Sequence, residues 1–342
     1  MPIPKINDNL VERLEEKLKI RHTTARSYAS SIRGLWRKLN KDKPYDGGLA
    51  FVATPKMMRV VGDIVNLSAR KNAANAAVAA LKVLGNKDTA LAQYRQLMMS
   101  ADADFQKYLK SGKKKHPFKD ATKEWENIRT LHKRVSRVVT AHNLWKRGEH
   151  IDYAGYRTLM ALVYLKWIAT LPVRRLEYAD TRIVTHERYR GLSEDERKKD
   201  NWVVMSKKKW TWELFKYKTS KTFGHQTMEI PVGLRATLKR LLPITDAKNN
   251  DGYIFLNTKW ARLNRNLFST FVKEVFKKYY NKSYTQNTIR AIRVSAVWGK
   301  SVKTLDALQL ADGMAHSLTT QLLHYRQNDK VDKPNERPES SD

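Results

Sequence analysis

The chain has 342 residues, 41% of them hydrophobic and nine of them tryptophan, which is enough apolar surface for two packed domains and excludes wholesale disorder. Its 66 Lys and Arg against 34 Asp and Glu leave a formal net charge of +32, so the folded chain repels itself unless a polyanion neutralises it. With no cysteine, disulfides, thiolate catalysis and Cys-ligated zinc are excluded.

Nucleic acid is the polyanion this composition favours. A membrane fits poorly: the longest apolar stretch, 156–171, carries Arg157 and Lys166 and is too short to span a bilayer. The opening residues Met1-Pro2-Ile3-Pro4-Lys5 lack the apolar run of a signal peptide, so the expectation is a soluble intracellular protein.

The first ~150 residues predict helix after helix. After Thr24, read as an N-cap, apolar positions fall at Tyr28, Ile32, Leu35, Trp36 and Leu39. Thr54-Pro55 is a cap followed by proline at the first helical position, leading into Met58, Val61 and Ile64. Ala74, Ala77, Val78 and Leu81 predict a third helix with small packing residues, and Leu91, Tyr94, Leu97 and Met98 begin a fourth. Lys113, Lys114 and Lys115 lie in a basic, acid-free stretch with Gly112 and Pro117 as breakers, read as a solvated loop or a phosphate-tracking arm. Thr122 is read as the cap of a long helix carrying Trp125, Ile128, Leu131, Val135 and Val138, and Lys146-Arg147-Gly148-Glu149 as the domain linker.

The second half changes character. The stretch 152–170 predicts a strongly apolar helix, and 201–205, 211–218 and 226–232 have the β-branched and aromatic content of short strands. The last two are placed to pair across a turn containing Gly224, after which helices return. The expected fold is mainly α with a small antiparallel sheet: a helical N-terminal domain (1–148), an α+β domain (149–327) and a polar C-terminal tail (328–342) read as disordered.

Four segments of the second half stand out by their order. They are Leu171-Pro172-Val173-Arg174-Arg175-Leu176-Glu177, with Arg174 and Glu177 three apart on an expected helix start; Lys218-Thr219-Ser220-Lys221-Thr222 at the hairpin turn; Thr285-Gln286-Asn287-Thr288-Ile289-Arg290-Ala291-Ile292-Arg293-Val294-Ser295; and Met314-Ala315-His316-Ser317 running on to His324-Tyr325. Singly each is ordinary: an i, i+3 ion pair worth a few tenths of a kcal/mol, lysines of a basic turn, a structural histidine, one core tyrosine among fifteen. Together, in this order, they resemble the catalytic domain of the tyrosine recombinases, the integrase family that shares its chemistry with type IB topoisomerases. The resemblance spans about 150–327 and extends loosely to the N-terminal half, where the family carries a helical DNA-clamping module. Its strongest match is Met-Ala-His-Ser, with Tyr325 nine residues after His316.

The resemblance implies a covalent 3′-phosphotyrosyl mechanism on double-stranded DNA, with no metal and no cofactor. It implies Arg174 as a transition-state arginine with Glu177 supporting it, Lys221 rather than Lys218 as leaving-group acid, His316 on the scissile phosphate and Tyr325 as nucleophile. The second arginine is open between Arg290, which fits the family's His-x-x-Arg register with Asn287 in the histidine's place, and Arg293, which sits at the family's distance from His316 and precedes Ser295 by two. Such a site suits the chemistry: two guanidiniums offer planar forks of donors to the extra charge of a phosphorane-like transition state, and nearby cations favour the ionised tyrosine.

The resemblance further implies a C-shaped clamp on duplex DNA, homo-oligomers (four protomers on paired sites, or a dimer) and an origin in a virus or mobile element. Type IB-like strand relaxation and hairpin-telomere resolution share the same residues, and Asn287 and Ala315 lean towards a non-catalytic DNA binder on a decayed scaffold; a metal-dependent nuclease is the distant rival. The tryptophans sit mostly in apolar stripes, so backbone-tracking contact is expected rather than base stacking, with a log–log salt slope of about −0.9 per phosphate neutralised.

Overall fold

A computed structural model describes residues 9–41, 43–85, 88–110, 118–249, 251–298 and 304–325. The basic residues Lys113, Lys114 and Lys115 and the tail 328–342 lie outside the described residues. The chain is mainly helical with one small sheet, and it divides into two compact units, Met1–Lys114 and Lys115–Asp342.

The first unit contains α1 (Leu10–Leu18), α2 (His22–Asn40), α3 (Pro55–Gly62), α4 (Leu67–Leu84) and α5 (Asp88–Lys110). Helix α3 starts as its sequence dictates, with the Thr54 hydroxyl accepting from Met57 N at 3.2 Å and Pro55 supplying a pre-set φ. Helix α4 buries Ala73, Ala74, Ala76, Ala77, Ala79 and Ala80, side chains small enough for close approach of α2 and α5. Thr24 is not a cap: α2 begins two residues earlier, at His22.

The second unit opens with α6 (Ala121–Ala141), capped by the Asp120 carboxylate on Lys123 N rather than by Thr122. Helix α6 buries Ile128, Leu131, Val135 and Val139 in the same core as α7 (Tyr153–Thr170). The units therefore part before α6, not at 146–149. Those four residues belong to a 3-10 segment (Leu144–His150), where Gly148 takes a positive φ of 52° to redirect the chain into α7. Nearly all of α7 is buried, as its unbroken apolar run requires.

The sheet has the order β1 (Thr181–Thr185), β2 (Asn201–Met205), β3 (Trp210–Leu214), β4 (Gln226–Glu229). It is mixed, not antiparallel. Strand β1 pairs parallel with β2, and the other two pairings are antiparallel. β1 follows the arginine segment directly and is extended through its pairing with β2, which no local pattern announces; α8 (His186–Gly191) and α9 (Glu194–Lys199) make its parallel crossover. Strand β2 is covered on both faces: Val203 joins Trp212 and Trp167 in the main core, while Trp202 and Val204 form a small second cluster with Val184. The β3–β4 connection holds a short helix, α10 (Ser220–Phe223).

Helices α11 (Val232–Lys248), α12 (Arg265–Tyr280), α13 (Gln286–Trp298), α14 (Thr304–Gly313) and α15 (Leu318–Thr320) complete the described chain, the last continuing into a π-turn, Gln321–Tyr325. Eight tryptophans assigned to apolar stripes pack in or against the hydrophobic clusters: Trp202, Trp210 and Trp212 are buried, and Trp36, Trp125, Trp145, Trp260 and Trp298 lie partly buried against them. No described helix is long and apolar enough to cross a membrane.

Candidate active site

Arg174 does not sit on a helix start. Leu171 and Pro172 follow the end of α7, and the chain takes no regular structure through Arg174 before a 3-10 turn (Glu177–Asp180). Side chains rather than a helix satisfy this backbone: Arg290 donates to Val173 O (2.6 Å), Gln286 Nε2 to Arg174 O (2.6 Å), and Arg174 N to the Tyr178 hydroxyl (3.1 Å). The Arg174 guanidinium is 1% exposed, donates to Gly313 O (2.9 Å) and Gln226 Oε1 (2.8 Å), and lies 4.7 Å from the centre of the Tyr217 ring. Burial weakens its hold on its proton, Glu177 opposes this, and Arg290 adds to it. Glu177 is itself buried and acts on Arg174 through its charge; among the described residues its Oε2 has no hydrogen-bond partner.

Arg290, on α13, is equally buried and donates to Val173 O, to Met314 O (3.3 Å) and to His316 Nδ1 (2.8 Å). Guanidinium has no acceptor, so Nδ1 must be the bare nitrogen and the imidazole proton sits on Nε2. Among the described residues that Nε2–H is buried without a partner, as are the Nε of Arg174 and the Nε of Arg290. Burial, then Arg290, Arg175 and Arg174, hold the His316 pKa down to about 3, so the ring is a neutral donor at physiological pH.

Tyr325 is 6% exposed. Its ring stacks on His316 (centroids 5.2 Å apart, 25° between planes) with the Arg290 guanidinium 5.0 Å from its centre. Its hydroxyl accepts from Arg175 at 3.2 Å, and its carbonyl accepts from the Ser295 hydroxyl at 3.1 Å. Burial raises the phenol pKa, but Arg290 and Arg175 outweigh it and the pKa falls below the ordinary 10.

Arg174, Arg290, His316 and Tyr325 thus share one cluster, with Glu177 beside it. Arg293 does not join them: it points back to α7, donating to Leu171 O and Ile168 O (3.3 Å) over the Trp125 ring, and burial lowers its pKa to about 10. It neutralises the carbonyl end of α7. Asn287 is exposed, whereas its neighbour Gln286 is buried between the Tyr164 hydroxyl and Arg174 O. Lys218 and Lys221 are exposed on the β3–β4 connection, and among the described residues neither hydrogen-bonds a cluster member. That connection is nonetheless fastened to the His316 turn, since the Thr219 hydroxyl donates to Ala315 O at 2.9 Å. Sequence reasoning missed Arg175, Tyr178, Tyr217, Gln226, Gln286 and Gly313. Only Arg175 left a signal, the Arg174-Arg175 doublet.

The turn before His316 closes α14 with His316 N on Ala311 O (3.1 Å) and Ala315 N on Asp312 O (2.8 Å), and Ala315 occupies the left-handed position at φ 49°. A Cβ there is strained by about 1 kcal/mol, so Ala315→Gly is expected to raise the melting temperature by a few degrees. A lowered or unchanged melting temperature contradicts the strain. His316 gives a second expectation. Its pKa is about 3 folded and about 6.5 unfolded, so the unfolded chain binds the extra proton in between. The stability tied to the neutral ring is therefore full above about pH 6.5 and declines as pH falls towards 3. Melting curves of the wild type should lose stability more steeply from pH 6.5 to 4 than those of His316→Gln; parallel curves contradict it.

Three guanidiniums, one buried carboxylate and three buried N–H donors unpartnered among the described residues, beside a phenol of lowered pKa, form a site suited to a phosphodiester anion and a tyrosyl nucleophile. Among the described residues no group of His, Asp and Glu side chains is arranged to hold a metal ion. No protein-family model matches the chain, and no curated protein sequence matches it.

Proposed function

We propose that this chain is a DNA strand transferase of the tyrosine recombinase type. The observation that carries the reading is Tyr325, its hydroxyl on Arg175 and its ring against the hydrogen-bonded pair of His316 and Arg290, in one cluster with Arg174. In the reaction the Tyr325 oxygen bonds to the scissile phosphorus and the bond from phosphorus to the 5′-oxygen breaks. The tyrosine proton leaves to solvent, and the departing 5′-oxygen takes a proton from Lys221. Arg174, Arg290 and the His316 Nε2–H meet the charge that builds on the non-bridging oxygens. The 3′-phosphotyrosyl bond conserves the energy of the broken one, so a 5′-hydroxyl rejoins the strand without ATP. The +32 charge fits a duplex-DNA substrate.

Assembly as a homo-oligomer on paired sites and an origin in a virus or mobile element are the finer parts of the same proposal. The test is a pool of nicked duplexes, in which cleavage near the nick releases a short strand and traps the intermediate, incubated with chelator and run on a denaturing gel. Protein covalently attached to DNA supports the proposal and rules out a metal-dependent nuclease. Binding without an adduct on every duplex, the chain's own flanking sequences included, supports the non-catalytic binder that Asn287 in the family's histidine place favours.

A further inference from the structure

We infer that Asn201 is a positioning residue for the leaving-group acid, holding the connection that carries Lys221 in register with the segment that carries Arg174. The inference rests on the proposed function and adds to it a residue that contacts no DNA.

Asn201 opens β2 and is fully buried. Its Oδ1 accepts from Phe215 N (3.0 Å) and Lys216 N (2.8 Å), and its Nδ2 donates to Glu177 O (3.2 Å) and Lys216 O (3.3 Å). All four hydrogen bonds an amide can make are used. Two of them grip both backbone groups of Lys216, the second residue after β3, and one reaches the residue that ends the Arg174 segment. A single side chain thereby joins the two stretches of backbone whose relative placement sets where Lys221 can reach.

The neighbouring contacts extend the same fastening. Arg265 donates to Lys216 O at 3.1 Å, and the Lys216 ammonium lies 3.5 Å from Asp180 and 3.7 Å from Asp200. The next residue, Tyr217, lies under the Arg174 guanidinium, and its hydroxyl donates to Gly224 O, closing the turn that contains Lys221. Carboxylate cannot replace the amide, because an aspartate would set an acceptor against the acceptors Glu177 O and Lys216 O.

The test compares two leaving groups on the duplex that the wild type is found to cleave. The second version carries sulfur in place of the bridging 5′-oxygen at the cleaved phosphate. A thiol has a pKa of about 8.5 and departs without an acid, whereas an alkoxide needs the proton. A lost general acid costs about 10²–10⁴-fold. Asn201→Ala is therefore expected to form adduct on the oxygen substrate at least about 100-fold more slowly than wild type, to bind the duplex as wild type does, and to come within several-fold of wild type on the sulfur substrate. Tyr217→Phe keeps the ring under Arg174 and removes only the clasp on Gly224 O; it carries the same test should Asn201→Ala not fold, with a smaller loss and the same rescue.

An equal loss on both substrates, or no loss on either, by a folded variant overturns the inference. Lys221→Ala separates it from the reading beneath: if that variant cleaves the oxygen substrate like wild type, Lys221 is not the acid and the inference falls with it. No adduct from the wild type on either substrate overturns the proposed function itself.

Discussion

Arg290→Lys is expected to bind duplex DNA almost as well as the wild type and to cleave it about 10²–10³-fold more slowly, a loss of about 3–4 kcal/mol of transition-state stabilisation. The charge is retained, so long-range attraction to DNA is unchanged. What is lost is geometry. The guanidinium reaches Val173 O, Met314 O and His316 Nδ1 together, and an ammonium on a flexible stem cannot hold three such directions. Without its donor on Nδ1 the imidazole is free to change tautomer and turn Nε2 into an acceptor, which would repel a phosphate oxygen. Arg293→Lys is the internal comparison. Its guanidinium closes the end of α7, so its replacement is expected to lower the melting temperature and leave cleavage by the folded fraction unchanged. Single-turnover cleavage and DNA titration on both variants check the contrast. Equal cleavage losses would contradict the assignment.

Tyr325→Phe is expected to form no covalent adduct at any pH while keeping its fold, since the ring still stacks on His316 and what disappears is the hydroxyl's bonding to Arg175 and Arg290. The wild type adds a pH signature. Burial raises the phenol pKa, and Arg290 with Arg175 brings it below 10, so the fraction ionised grows with pH and reaches its plateau earlier than for a free tyrosine. Adduct formation should therefore rise with pH and level off below 10. In Arg175→Ala one of the lowering cations is gone, so the rise should move to higher pH. A pH–rate profile that Arg175→Ala leaves in place would show that Arg175 does not act on the nucleophile.

The sequence pattern read the long elements well. Periodic apolar stripes, the Thr54-Pro55 start of α3 and the unbroken apolar run of α7 all correspond to observed helices. β3 and β4 pair as their composition and the intervening turn implied. What it missed followed from tertiary contacts. β1 is extended because it pairs with β2 twenty residues away, and no local period announces that. The helix expected at Arg174 is absent because Tyr178, Gln286 and Arg290 take up its backbone groups, an alternative visible only once those residues are brought together. The boundary at 146–149 failed for a related reason: α6 looks like any amphipathic helix, and only its packing partner assigns it to the second unit.

The site was half legible. Motif order drew attention to Arg174, His316 and Tyr325, but spacing left Arg290 and Arg293 equivalent, because residues three apart share a helix face. Burial and donor direction separate them. The supporting amides, Gln226 and Gln286, could not be told from ordinary surface glutamines, and Asn287, the residue spacing singled out, is the exposed one.

The most direct measurement of the central claim is mass spectrometry on the trapped protein–DNA adduct after nuclease and trypsin digestion. A residual nucleotide is expected on the peptide 304–326, attached through phosphate to Tyr325 and absent from Tyr325→Phe. A nucleotide on any other residue, or an adduct that survives in Tyr325→Phe, would contradict it.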